Sequence, residues 1–395
     1  MKKLFFFLVL FGTGFLCGGS FSEGVEKNNP TVRVLILQQA KEIKLTIHSS
    51  YKIISRDNTR ELLSGKWLSE RMMLVSSNML HLGEYVFDTD AVVVRALKDG
   101  RISVNGRYYR GDIVVSKKEG LLSVINILDI EDYLKGVLFH EVSPKWPIEV
   151  LRAQAIVART FAYYQSMVNK KKEYDVTSDT LSQVYGGLFS EKLKTNIAVD
   201  VTRGEILTYD GKVFPAYYHA TCGGMTEDSS VLWNIDIPPL RGTKCDLCND
   251  SPHLAWNAKI ALADIERKLR ENGFYINGIE DIAIISYTPS GRVYELLIRS
   301  QEKEARISAK QFRQVLGSTL IRSAHFSVYM NGDFAIFKGL GWGHGVGMCQ
   351  WGAKYLAELG KKASYILKFY YPESETMEIK EIAAMHSNIK NQSSN

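Results

Sequence analysis

The segment from Asp129 to Val168 constrains the fold more than any other part of the chain. Asp129-Ile-Glu-Asp132 opens a helix, with Asp129 placed as N-cap and Asp132 three residues on. Ile130, Tyr133, Leu134, Val137 and Leu138 follow at helical spacing, and Glu141 takes the next position on the same stripe. After Pro144 and Pro147 a long helix is predicted from about Ile148 to Val168, ending in the solvated run Lys170-Lys171-Lys172. Its Arg152-Ala-Gln-Ala-Ile-Val-Ala-Arg159 portion is dense in alanine, which permits close packing.

Residues 31–127, ahead of these helices, read as β-rich. Val32–Leu37, Ala91–Arg95, Ile102–Val104, Tyr108-Tyr109, Asp112–Val115 and Leu121–Ile125 are strand-like, and Asn105-Gly106 marks a hairpin turn. Beyond the helices, strands are predicted at Gly204–Tyr209 and Val213–His219, joined at Asp210-Gly211. A helix is predicted at Ala258–Leu269, a hairpin at Ile282–Tyr287 and Val293–Ile298, and a short helix at Ser308–Leu316. The Gly-rich loop 339–347 leads into a helix at about Cys349–Leu359, with another starting near Tyr365. The fold class is α+β: mixed antiparallel β-sheets with packed helices that form a groove, in a single body without a Pro- or Ser-rich boundary. Residues beyond about Lys380 are polar and read as a frayed tail over 380–395.

Met1-Lys2-Lys3 followed by Leu4–Cys17 has the charged and apolar regions of a signal peptide, and is short for a membrane span. Gly18, Gly19, Ser20 and Ser22 offer a cleavage site, so residues 1–22 are read as a signal peptide or an N-terminal anchor. Leu16 before Cys17 argues against a lipoprotein site. The expected location is the periplasm or cell envelope. A formal charge of +6 is too mild for nucleic acid binding, which calls for a concentrated basic stripe. It suits an acidic polymer.

Three features carry chemistry. A carboxylate continuing an apolar stripe is partly desolvated, which raises its pKa, so Glu141 suits proton donation to a glycosidic oxygen. The competing reading is a buried ion pair with Arg152 or Arg159. Next, Gly339–Gly352 holds five glycines between 339 and 347, which place Trp342 and His344 on an exposed loop. It lacks the Lys and Ser/Thr of a phosphate-binding loop and fits a sugar-stacking surface, with a tight turn around a buried His344 as the competing reading. Third, His219, Cys222, Cys245 and Cys248 have the outline of a four-ligand zinc site, with His253 as an alternative fourth ligand. An exported chain can also oxidise such cysteines, and both readings stay open.

Several blocks then resemble, in order, the motifs of the stage II sporulation protein D (SpoIID) / LytB amidase-enhancer family over about residues 31–375. They are Asp132–Glu141, Leu151–Thr160, Asp179–Gly187, Cys222–Thr226 and Gly341–Gly352. The resemblance implies a catalytic core over 128–375 with 31–127 as its β-rich N-terminal part. It implies a peptidoglycan lytic transglycosylase acting on glycan strands stripped of stem peptides, with Glu141 as sole acid/base and no cofactor needed for catalysis. Arg159, Gln183, Tyr185 and His344 take motif positions implied to bind substrate or orient Glu141. Some relatives hold a metal through Cys and His around the Asp-Thr-x-x-Gln segment; Tyr174–Gln183 has neither residue, so that site is absent here. Cys349 stands where Ser is common. The implied partners are glycan strands and a cell-wall amidase, and the alternative function is a non-catalytic wall binder that enhances that amidase.

Overall fold

The computed structural model describes residues 30–382, 384 and 385, so the segment 1–22 read as a signal peptide or anchor and most of the predicted tail lie outside the described residues. The N-terminal part forms two sheets that enclose one core. In the first, Thr31–Ala40 pairs antiparallel with Leu121–Asp129, which continues through Asp112–Lys118, Ala91–Ala96, Tyr51–Ser55 and Glu61–Gly65. Val176–Thr177 adds a parallel edge to Thr31–Ala40. The second sheet has six strands, centred on Glu42–Ile47 and Leu68–Ser76. Alternation along these strands points Ile43, Leu45, Ile47, Val92, Val94, Ile113 and Val115 into the shared core. Asn105 and Gly106 both adopt positive φ, as the hairpin turn requires.

Helix α1 (Ile130–Glu141) leaves the end of Leu121–Asp129 and closes that core. Asp129 caps it by accepting from the Glu131 N–H, and Ile130, Tyr133, Leu134, Val137 and Leu138 are all fully buried. Each such side chain contributes roughly 1.5–3 kcal/mol of transfer free energy. Helix α2 (Ile148–Val168) crosses behind α1, and its alanines 153, 155, 158 and 162 are buried at the contacts.

A second α+β body occupies residues 255–340. Ala255–Ala261, Phe334–Leu340 and Phe326–Asn331 form one sheet, and Ile279–Tyr287, Val293–Ser300 and Glu304–Ser308 another. Helices Leu262–Glu271 and Ala309–Leu316 pack with them around Trp256, Ile265, Leu269, Leu296, Phe312 and Phe337. Ala255 pairs with Leu340, so the chain enters and leaves this body on neighbouring strands. No linker composition announces such an insertion, because its ends are sheet partners rather than tethers.

Two expected elements differ. The helix predicted from Ala258 begins at Leu262, because Ala255–Ala261 alternates buried and exposed residues along a strand partner. The single strand predicted at Val213–His219 is two short pieces, Lys212–Val213 and Tyr218–His219, with Pro215 between them. The start of the predicted frayed tail is also ordered, since Ile379 and Ile382 are buried with Ile206.

Candidate active site around Glu141

Glu141 is the last residue of α1, and Val142 turns extended after it while its N–H still bonds the Leu138 carbonyl. The half-buried Glu141 receives hydrogen bonds from the Val184 N–H, the Tyr218 hydroxyl and the Gln350 side chain. Burial pushes its pKa up to about 7, and these three bonds only partly oppose that shift. All three donors are neutral. Arg152 pairs with Glu149 at 3.2 Å and Arg159 with Glu131 at 2.7 Å, so neither arginine supplies the ion pair that the sequence left open.

A directed chain of hydrogen bonds fixes one of these donors. The Tyr133 hydroxyl donates to Gln183 Oε1 at 3.0 Å, and Gln183 Nε2 donates to the Tyr218 oxygen at 3.0 Å. The Tyr218 oxygen is then an acceptor for Gln183, which leaves its own proton for Glu141. Tyr218 is held by parallel pairing of Tyr218–His219 with Met348–Cys349. That pairing brings Gln350, first residue of helix Gln350–Glu358, to the same carboxyl, and its Nε2 also donates to Gln154 Oε1 on α2 at 3.3 Å.

The other expected site residues fall into three kinds of place. Gln183 is buried and reaches Glu141 through Tyr218. Tyr185 is buried in the N-terminal core: its hydroxyl donates to Asn126 Oδ1 at 2.8 Å, and its ring lies 5.3 Å from that of Tyr133. Arg159 does not face a groove at all. It is 0 % exposed, with Nε 2.9 Å and Nη2 2.7 Å from the two Glu131 oxygens, and it donates further to the carbonyls of Val199 and Glu205. Its charge is consumed in tying α1 and α2 to the helix Leu193–Val201.

His344 sits beside Tyr218. Its Nδ1 accepts from the Val346 N–H at 3.1 Å, while the ring also bonds the Tyr218 carbonyl. Burial and nearby Arg313 hold its pKa at about 3, so it is neutral near pH 7. The ring stands edge-on to Trp233 at 5.1 Å, and Trp233 stacks on Tyr217 at 4.3 Å. Gly347 lets the loop pass here: it has φ +71°, and a Cβ would lie 1.9 Å from the Tyr217 carbonyl oxygen. On the other flank, Trp351 follows Gln350 and meets Trp146 edge-on at 5.2 Å.

Away from Glu141, the expected ligands Cys222, Cys245 and Cys248 are buried free thiols, and Cys349 joins them. His219 is buried beside them, whereas His253 packs edge-on against Trp342 at 4.7 Å. Sequence reasoning missed Tyr218, Gln350 and the Val184 N–H. Gln350 lay inside a quoted motif, but only the strand pairing shows that it turns toward Glu141.

A family profile described as "Stage II sporulation protein" matches residues 118–209, which hold α1, α2 and Gln183. A second, described as a domain of unknown function, matches residues 247–347 and so spans the inserted body. Stage II sporulation protein D of Bacillus amyloliquefaciens is 33% identical over 266 residues, covering 63% of this chain and 74% of that protein. The chain belongs to the stage II sporulation protein D family. An uncharacterised protein of Brachyspira hyodysenteriae is 34% identical over 348 residues, 87% of this chain and 92% of that one. The amidase enhancer of Bacillus subtilis is 28% identical over 322 residues, 69% of this chain but 44% of its own length. The inserted body thus matches a profile of its own, beyond the residues 118–209 of the sporulation-protein profile, and forms a core separate from the Glu141 region.

Proposed function

We propose that this protein is a peptidoglycan lytic transglycosylase with Glu141 as its only acid/base. Membership of the SpoIID family places its work in the cell wall. The observation that carries the finer reading is the state of Glu141: a carboxyl with pKa about 7, held by neutral donors and without an ion pair. Such an acid is protonated in a useful fraction near neutral pH.

In the reaction, Glu141 gives its proton to the oxygen joining N-acetylmuramic acid to N-acetylglucosamine as the C1–O bond breaks. The resulting carboxylate then takes the proton of the muramic C6 hydroxyl as that oxygen bonds C1. The product is a 1,6-anhydro end, no water is consumed, and Glu141 is protonated again. A hydrolytic plan needs a second carboxylate within about 5–9.5 Å. The influences on Glu141 are burial, Val184, Tyr218 and Gln350, with no second acid among them. Trp233 meets His344 and Trp351 follows Gln350, so two indoles lie one residue removed from the groups that hold Glu141.

A second reading, a non-catalytic glycan binder that enhances an amidase, is what the name of the Bacillus subtilis relative suggests. A binder has no use for a carboxyl tuned toward neutrality, which favours the enzyme. Both readings put the protein outside the cytoplasm, in the cell envelope, with glycan strands and a wall amidase as partners.

The pH–rate profile tests the role of Glu141. Only the protonated acid can begin the reaction, so kcat/KM on amidase-treated glycan falls as pH rises through about 7. Tyr218→Phe removes a bond that favours the carboxylate, so it moves this limb to higher pH. A limb that does not move in Tyr218→Phe contradicts the assignment.

A further inference from the structure

We propose that Cys222, Cys245, Cys248 and Cys349 bind a structural zinc ion at the junction between the Glu141 region and the inserted body. The four thiols are buried and free, and they gather on Cys222: its Sγ meets Cys248 Sγ and lies 3.5 Å from the Cys245 carbonyl, and its N–H points at Cys349 Sγ. They come from four different places: the loop after Tyr218–His219, the strand Lys244–Cys245, the turn that follows it, and the N-cap of helix Gln350–Glu358. Four thiols on one point are poorly served as hydrogen-bonding groups, since each is a weak donor and a weak acceptor. They are well served as ligands. Zinc takes four thiolates at about 2.3 Å in a tetrahedron, whose edge is then about 3.8 Å. The Cys222 and Cys248 sulfurs are 3.6 Å apart.

The surroundings fit an anionic centre. Arg292 is buried beside the cluster, donates to the Cys222 carbonyl at 2.7 Å, and its Nε has no partner. A buried guanidinium needs an anion near it, and thiolates on zinc add to the charge that Glu227 supplies from the other side. The outer shell is present as well. The Tyr370 hydroxyl lies 3.2 Å from Cys245 Sγ, and the N–H groups of Cys222 and Gly352 point at Cys349 Sγ from 3.3 and 3.5 Å. At Gly352 a Cβ would lie 2.9 Å from Cys245 Sγ, so the helix approaches the cluster only with glycine there.

His219 is the fifth donor in reach. Its Nδ1 bonds the Val346 carbonyl at 3.1 Å, and its Nε2 is buried without a partner. A His219 ring nitrogen and the Cys222 and Cys349 sulfurs lie within 4.8 Å of one another. A four-thiolate set gives every position the same soft donor, and His219, grouped with Cys222 and Cys349 but with neither Cys245 nor Cys248, is left outside it as the donor in reserve. The ligand set read from the sequence is thereby changed at one position, with Cys349 in place of His219. This zinc serves the fold. It pins the start of the helix that carries Gln350 to the strand that carries Tyr218, and both residues hold Glu141.

The test uses the full chain, purified without chelator. About one zinc per chain is expected by elemental analysis, with release on titration of the thiols by a mercurial. Cobalt exchanged into the site should give the sulfur charge-transfer and d–d bands of a tetrahedral four-thiolate centre. Cys349→Ser and Cys248→Ser should each lose the metal and melt lower, whereas His219→Ala and Glu141→Gln should keep it. Metal-free protein whose melting temperature ignores chelator overturns the proposal, as does peptide mapping that finds these cysteines in disulfides. Loss of zinc from His219→Ala with retention by Cys245→Ser overturns the ligand set. The zinc content of Glu141→Gln separates failure here from failure of the transglycosylase reading.

Discussion

Glu141→Gln is expected to lose about a hundred- to ten-thousand-fold in glycan cleavage, the usual worth of a positioned proton donor. The amide keeps the size of the side chain, but it has no proton to give. Folding should survive, and the sign of the stability change can be worked out. The folded-state pKa of about 7 lies above the ordinary glutamate value, so the folded protein holds an extra proton between the two values. Stability from this group is full below the ordinary glutamate pKa and declines as pH rises through about 7. The Gln variant has no such decline. Its melting temperature relative to wild type should therefore improve from about pH 5 to about pH 8. An inactive variant that unfolds at every pH would instead make Glu141 a structural residue.

Arg159→Ala should destabilise the fold by about 3–5 kcal/mol, because it strands the buried Glu131 carboxylate without its partner. Glu131 also accepts from the Gly204 N–H at 3.0 Å, a bond too weak to hold the charge alone. Replacing both members together, as in Arg159→Met with Glu131→Leu, should recover much of the loss, since an apolar pair of similar volume leaves no orphan charge. Denaturant unfolding checks both variants. An Arg159→Ala protein with wild-type stability and a raised KM for glycan would return Arg159 to the substrate groove.

The contrast between these two residues shows what could be read from the chain. Helix α1, its Asp129 cap and the buried stripe through Leu138 follow from spacing alone, and so does the place of Glu141 at the end of that stripe. Pairing is a different matter. Arg159 and Glu141 are both charged residues on apolar helical faces, and one-dimensional pattern does not say which acid meets which base. Only the crossing of α2 behind α1 gives Arg159 to Glu131 and leaves Glu141 to neutral donors. Tyr218 and Gln350 were hidden for a related reason. They meet through a parallel pairing between two-residue strands more than a hundred residues apart, which leaves no local periodicity. Cys349, which in the sequence stands only as a departure from the common Ser, is carried to the thiol cluster by the same pairing, His219 with Cys349. The elements of the inserted body were legible, but not its separateness, because it begins and ends on paired strands, Ala255 with Leu340, and no linker marks its edges.

The central claim is that Glu141 cleaves glycan by internal transfer rather than with water. Mass spectrometry of products from intact and amidase-treated peptidoglycan, digested by wild type and by Glu141→Gln, tests it most directly. The account predicts 1,6-anhydro-N-acetylmuramic ends from wild type alone, and more of them after amidase treatment. Reducing ends from wild type, or anhydro ends from both proteins, would contradict it.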